Sequence, residues 1–196
     1  MRSAYIYIFM FVIFLVVGCS THQYKTMSQS FRLGLPILKT TNQVRYVEIS
    51  SDKVESFLAS QGINPQYKNT ADDKYCVVEE DWFVNTLLKE YYTFIDEVGI
   101  KEYQTERNDC DDYCRAFTFF CKIKSLRTLN INHSLTVADV FFHKNGDKKR
   151  NHAINLAIVL DKEGKLKLIY IEPQDASVFL NEDNRNISRN VYFWGM

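Results

Sequence analysis

Cys110 stands in the run Asn108-Asp109-Cys110-Asp111-Asp112-Tyr113, where Asn108 or Asp109 can cap a helix whose first residue is the cysteine. A thiol at the first turn of a helix meets unsatisfied N–H groups and the positive end of the macrodipole, both of which favour the thiolate. Such a sulfur is a nucleophile. Downstream, His152 opens an apolar segment and Glu172 closes the next one. An imidazole in reach can take the thiol proton, and a carboxylate can orient the imidazole and stabilise its charged form. Asp111 and Asp112 oppose this arrangement, because two carboxylates beside the sulfur disfavour a thiolate. A bound Ca²⁺ taking oxygen ligands from both would remove the conflict. The alternative is that both acids simply favour a helix N-terminus, where each is worth about 0.3 to 1 kcal/mol.

Three elements must position these groups. Cys110, Tyr113, Cys114, Phe117, Phe120 and Cys121 form an inward stripe of one helix. Strands follow at Thr136 to Phe142, Asn151 to Leu160 and Leu166 to Glu172, joined by turns at Asn145-Gly146 and Lys162-Glu163-Gly164. With Gly164 left-handed in a three-residue loop, Asp161 faces Lys165, and His152 falls opposite Gln174 and diagonal to Glu172. A one-residue slip would turn His152 and Glu172 to opposite faces. Upstream, Val44 to Ile49 alternates like a strand, Asp52 with Glu55 offers a capping box for a helix ending at Gly62, and 72–81 is an acidic loop. Trp82, Phe83, Leu87, Tyr91, Phe94, Ile95 and Val98 mark a core helix ending at Gly99.

A helix-borne thiol, then a strand histidine, then a strand-ending carboxylate is the arrangement of a papain-like cysteine peptidase. The blocks Asn108 to Tyr113, Asn151-His152-Ala153-Ile154-Asn155 and Ile171-Glu172-Pro173-Gln174 resemble the papain-like C-terminal domain of the mushroom lectin from Marasmius oreades and related bacterial and phage proteins. The resemblance covers about Trp82 to Gln174. It implies an α+β, papain-like fold in which N-terminal helices carrying the nucleophile pack on a C-terminal antiparallel sheet. It also implies a Cys110-His152-Glu172 triad, calcium-dependent proteolysis of a protein or peptide substrate, and Gln104 as an oxyanion donor, as a glutamine is in papain. Cys114 departs from the family, where a small residue is more usual, and the lectin's sugar-binding β-trefoil has no room in 196 residues.

The N-terminus addresses the compartment. Met1-Arg2 is followed by an apolar run from Ala4 to Val17 and then Gly18-Cys19, which resembles a bacterial lipoprotein signal. The expected organisation is a signal peptide over 1–18, a polar tether over 19–35 and a papain-like domain over 36–196, held to the cell envelope by lipid on Cys19. Ser20 after the cysteine resembles an outer-membrane address. With 24 Lys and Arg against 24 Asp and Glu, the chain has no net field to gather nucleic acid. The 46% hydrophobic content excludes disorder. Once Cys19 is lipidated, Cys114 and Cys121 lie two helical turns apart, about 10 Å, so any disulfide pairs Cys76 with one of them. The main expectation is thus a lipid-anchored cysteine peptidase, a hydrolase. A cell-wall amidase or transglutaminase-like acyltransferase, and a non-enzymatic surface lipoprotein that keeps the fold to bind a partner or phage receptor, stand as alternatives. Radiolabelled palmitate should be incorporated and Cys19→Ala should stop it; equal labelling of the mutant removes the anchor.

Overall fold

The computed structural model describes residues 44–100, 109–129, 131, 133–179 and 187–196. The expected signal, the tether, Cys19 and Gln104 lie outside the described residues. Strand β1 (Tyr46–Ser50) leads directly into helix α1 (Ser51–Ser60), followed by β2 (Tyr67–Asn69) and β3 (Lys74–Val78). Helix α2 begins over Glu80–Trp82, widens to a π turn over Phe83–Leu87 and continues over Leu88–Glu97. Helix α3 (Cys110–Lys124) runs into a second π turn, Ser125–Leu129. The remainder is strand: β4 (Ser134–Leu135), β5 (Val137–His143), β6 (Asn151–Leu160), β7 (Leu166–Glu172), β8 (Ser177–Val178) and β9 (Val191–Gly195). The fold is α+β.

Six strands form one sheet in the order β2-β9-β5-β6-β7-β8, antiparallel except for the β2–β9 pair, while β1-β3-β4 form a smaller sheet. Asp161 N–H donates to Lys165 O at 2.9 Å and Gly164 sits at φ 79°, so β6 and β7 pair Leu160 with Leu166 and Asn155 with Ile171. That is the register expected from the loop. Strand β6 is buried on both faces. Ala157 and Val159 join the core under α2 and α3, and Ile154, Leu156, Ile158 and Leu160 join a second core with Val54 and Leu58 of α1. Burial on both sides explains a nearly continuous apolar run where a half-exposed strand would alternate.

Three differences from the sequence reading have local causes. Ser50 caps α1 by accepting from Lys53 N–H at 3.3 Å, two residues before the Asp52 start, because β1 ends at that residue. The stretch read as an acidic loop contains β3, whose Tyr75, Cys76, Val77 and Val78 are all buried; acids on either side hid a short core strand. No disulfide forms among the described cysteines, since Cys76, Cys110, Cys114 and Cys121 are all free.

Polar contacts tie α3 to what surrounds it. Asn155, fully buried on β6, donates through Nδ2 to Cys114 O at 3.2 Å, Thr118 Oγ1 at 3.1 Å and Asp139 Oδ1 at 3.0 Å. Thr118 donates to the same Asp139 oxygen at 2.6 Å. Farther along α3, the fully buried Lys124 pairs with Glu90 of α2. Asn155→Ala strips a shared donor from the Thr118–Asp139 pair and should lower stability by about 1 to 3 kcal/mol in urea unfolding. An unchanged midpoint would mean that the Asn155 contacts do not hold α3 on the sheet.

Candidate functional site

The site is built where the N-terminus of α3 meets the ends of β6 and β7. Asp109, at φ −103° and ψ −169°, leaves the helix to begin at Cys110, and its N–H donates to Asp112 Oδ2 at 3.4 Å. Cys110 is half-buried. His152, second residue of β6, pairs with Phe142, whose ring meets the imidazole edge-on at 5.7 Å between centroids. In the β6–β7 register His152 and Glu172 share a face, and Nε2 lies 2.8 Å from Glu172 Oε2. Cys110 is near enough to the imidazole to favour its charged form. The structure therefore brings Cys110, His152 and Glu172 together. Gln104 lies outside the described residues.

Hydrogen bonds with Cys110 and then with Glu172 outweigh the cost of burial and push the His152 pKa up from 6.5 to about 9. The ring is thus held as imidazolium at neutral pH. Glu172 Oε1 is buried and has no hydrogen-bond partner among the described residues. Cys114 and Cys121, one and three turns behind Cys110, are buried thiols pushed up chiefly by desolvation. They stay protonated and belong to the core.

The acids beside the thiol are already compensated. Arg115 Nη2 lies 2.8 Å from Asp111 Oδ2, and Nη1 lies 3.7 Å from Asp112 Oδ1. The hydrogen bond with Asp109 nevertheless holds the Asp111 carboxyl above its ordinary range, with burial adding to it and Arg115 opposing. Asp109, Asp111 and Asp112 offer oxygens within 4.8 Å of one another, and Asp109 Oδ1 is buried without a hydrogen-bond partner among the described residues. Carboxylate oxygens are the donor type that Ca²⁺ takes, although three are about half of the set it needs. Arg115 supplies the positive charge that the sequence argument sought from a metal, so electrostatics alone does not require one.

Sequence reasoning missed Arg115, Asn155 and Tyr192. The Asp111–Arg115 spacing of four residues was a legible helix pair, and Asn155 was a polar residue inside an apolar strand. Tyr192 gave no signal, yet burial and then the charge on Cys110 push its phenol up. Among the other histidines, His143 pairs with Asn151 Oδ1 at 2.8 Å and His133 lies 3.7 Å from Glu48; His22 lies outside the described residues.

No protein-family model matches this chain, and no curated relative does. Its fold is similar to that of solved structures of a fungal lectin. One, described as a PSL1a-E64 complex, superposes with a TM-score of 0.58 at 16% identity, over 76% of this chain and 51% of that one. Another, the Polyporus squamosus lectin bound to Neu5Acα2-6Galβ1-4GlcNAc, gives 0.57 at 14% identity, over 76% and 49%. This chain spans about half the length of either. The likeness defines the fold.

These matches correct the sequence reading of function. A lipid-anchored hydrolase using Cys110, His152 and Glu172 as a peptidase triad was expected, and the solved structures sharing the fold are those of a lectin. The physical reason is that three converging side chains meet a geometric condition common to binding and to turnover, and a shared backbone fixes neither. Neither match bears on the expected lipoprotein signal, which lies outside the described residues.

Because the folded pKa of His152 is raised, the stability it contributes is complete below pH 6.5 and is lost as pH rises through about 9. An NMR titration of the ring protons should give a midpoint near 9 in the wild type and one closer to 6.5 in Glu172→Gln. The gap in urea midpoint between the two proteins should narrow over the same window. Identical titrations would mean that Glu172 does not hold the imidazolium.

Proposed function

We propose that this chain is a binding protein that keeps a papain-like scaffold and offers the thiol end of that scaffold to a glycan. The observation that carries the reading is the likeness of its fold to a lectin solved with a sialylated trisaccharide. At 14% identity the sugar contacts of that protein do not transfer, so this chain must supply its own. Cys110, His152 and Glu172 are candidates for one wall of the site. The hydrogen bond between His152 and Glu172 fixes both rotamers before a ligand arrives, which lowers the entropy lost on binding. Asp109, Asp111 and Asp112 would hold Ca²⁺, which would add positive charge beside that wall. Lipid on Cys19 would hold the domain to the outer membrane of a bacterial envelope, where glycans are met.

A glycan array probed with the full chain, in Ca²⁺ and in EDTA, tests the reading. Binding to at least one glycan class is expected, stronger in Ca²⁺ and weakened about tenfold, or 1.4 kcal/mol, by His152→Ala. Casein incubated with the protein should stay intact. An array without binding, together with casein cleavage that Cys110→Ala abolishes, would overturn the proposal.

A further inference from the structure

The face of the six-stranded sheet beside the thiol carries a row of rings that the hydrophobic cores do not absorb. Along β9, Phe193 pairs with Phe141 but Val191 pairs with Phe142, so Tyr192 is the extra residue of a β-bulge. In a regular strand Tyr192 and Phe193 would point to opposite faces. The bulge turns both toward the face of Phe141 and His143. The ring contacts agree: Tyr192 stacks on His143 at 4.4 Å and 21°, lies 6.4 Å from Phe141, and Phe141 meets Phe193 at 5.5 Å. All four are half-exposed, and Tyr67, opposite Phe193 on β2, is 61% exposed and extends the row.

The hairpin tip between β5 and β6 adds charge to this shelf. Lys144, Lys148, Lys149 and Arg150 are all exposed, and among the described residues none of them makes an ion pair. The single acid of the tip, Asp147, is occupied in accepting from Lys149 N–H at 3.0 Å. A Cβ placed on Gly146 would lie 3.3 Å from Asn190 Oδ1, so the tip sits against the residues that lead into Tyr192. An unpaired cationic loop is thereby packed beside an aromatic shelf.

We infer that the shelf of Phe141, His143, Tyr192 and Phe193 and the basic tip at 144–150 form one subsite for an acidic saccharide, with a pyranose face on the rings and a carboxylate or sulfate on the tip. Aromatic faces accept the C–H side of a sugar, and lysine and arginine bind its anionic group by charge-assisted hydrogen bonds. The chain as a whole is neutral, so the attraction is local and fades within a Debye length of about 10 Å. A single acidic sugar fits that range better than a long polyanion does. The inference rests on the glycan-binding reading and names the ligand class and the residues.

The full chain would be titrated by NMR with sialyllactose, lactose and an oligothymidylate, alongside Tyr192→Ala and Lys148→Ser/Lys149→Ser. The lysine variant changes only exposed side chains and should unfold at the wild-type temperature. Sialyllactose should bind the wild type about tenfold more tightly than lactose, shifting signals of Tyr192 and the tip, and each variant should lose about that factor. If sialyllactose binds wild type and variants equally, the subsite is overturned while the glycan reading stands. If no saccharide binds the wild type, both are overturned. Tighter binding of the oligothymidylate, lost in the same variants, would overturn the saccharide in favour of a nucleic acid.

Discussion

The docking of α3 on β5 and β6 is the constraint from which the rest follows. A helix can slide along a sheet when only apolar side chains meet, because the hydrophobic effect has no direction. Asn155 removes that freedom: one amide nitrogen reaches a helix carbonyl, a helix hydroxyl and the carboxylate of Asp139. Each of these groups would be left unsatisfied by a shift of one turn, and a buried polar atom without a partner is expensive. Burial holds the Asp139 carboxyl above the ordinary carboxylate range, with the bonds from Thr118 and Asn155 pulling the other way, which is the mark of a desolvated acid kept by its donors. Cys110 meets His152 because Cys114, one turn on, is pinned to β6.

The electrostatics of the site depend on the same docking. The α3 N-terminus concentrates acids, and a cluster of acids beside a thiol would be unfavourable if nothing answered it. Arg115 answers from the next turn of the same helix, while the imidazolium of His152 answers from the sheet. One compensation is local and the other is tertiary. Their combination lets a thiol, three carboxylates and a charged imidazole occupy one end of a neutral chain.

Convergence of nucleophile, base and carboxylate is a property of position, and a binding site can use fixed polar groups as readily as an enzyme can. What distinguishes this chain is what surrounds the cluster. The bulge at Tyr192 turns two consecutive rings to one face, and the cationic hairpin leans on the residues before it. Bulges are often found where a side chain must be re-aimed beside a site.

The sequence by itself determined the elements whose signals are local. The helical stripe from Trp82 to Val98, the helix start at Cys110, and the turn at Gly164 with the β6–β7 register it sets are encoded by residues a few positions apart. The common face of His152 and Glu172 followed from that register, because side-chain direction in a strand has a period of two. Tertiary structure decided what depends on distant neighbours. Strand β3 hid among acids because its burial comes from β1 and β4, on either side of it. Asn155 was visible as a polar residue in an apolar strand, but its partners on α3 and β5 were not, since they are chosen by how a helix lies across a sheet. The parity of Tyr192 was reversed by a bulge that exists only in the pairing of β9 with β5. Local periodicity is written in nearest neighbours, whereas the matching of partners far apart in the chain is settled only when the cores close and most buried polar groups find a bond.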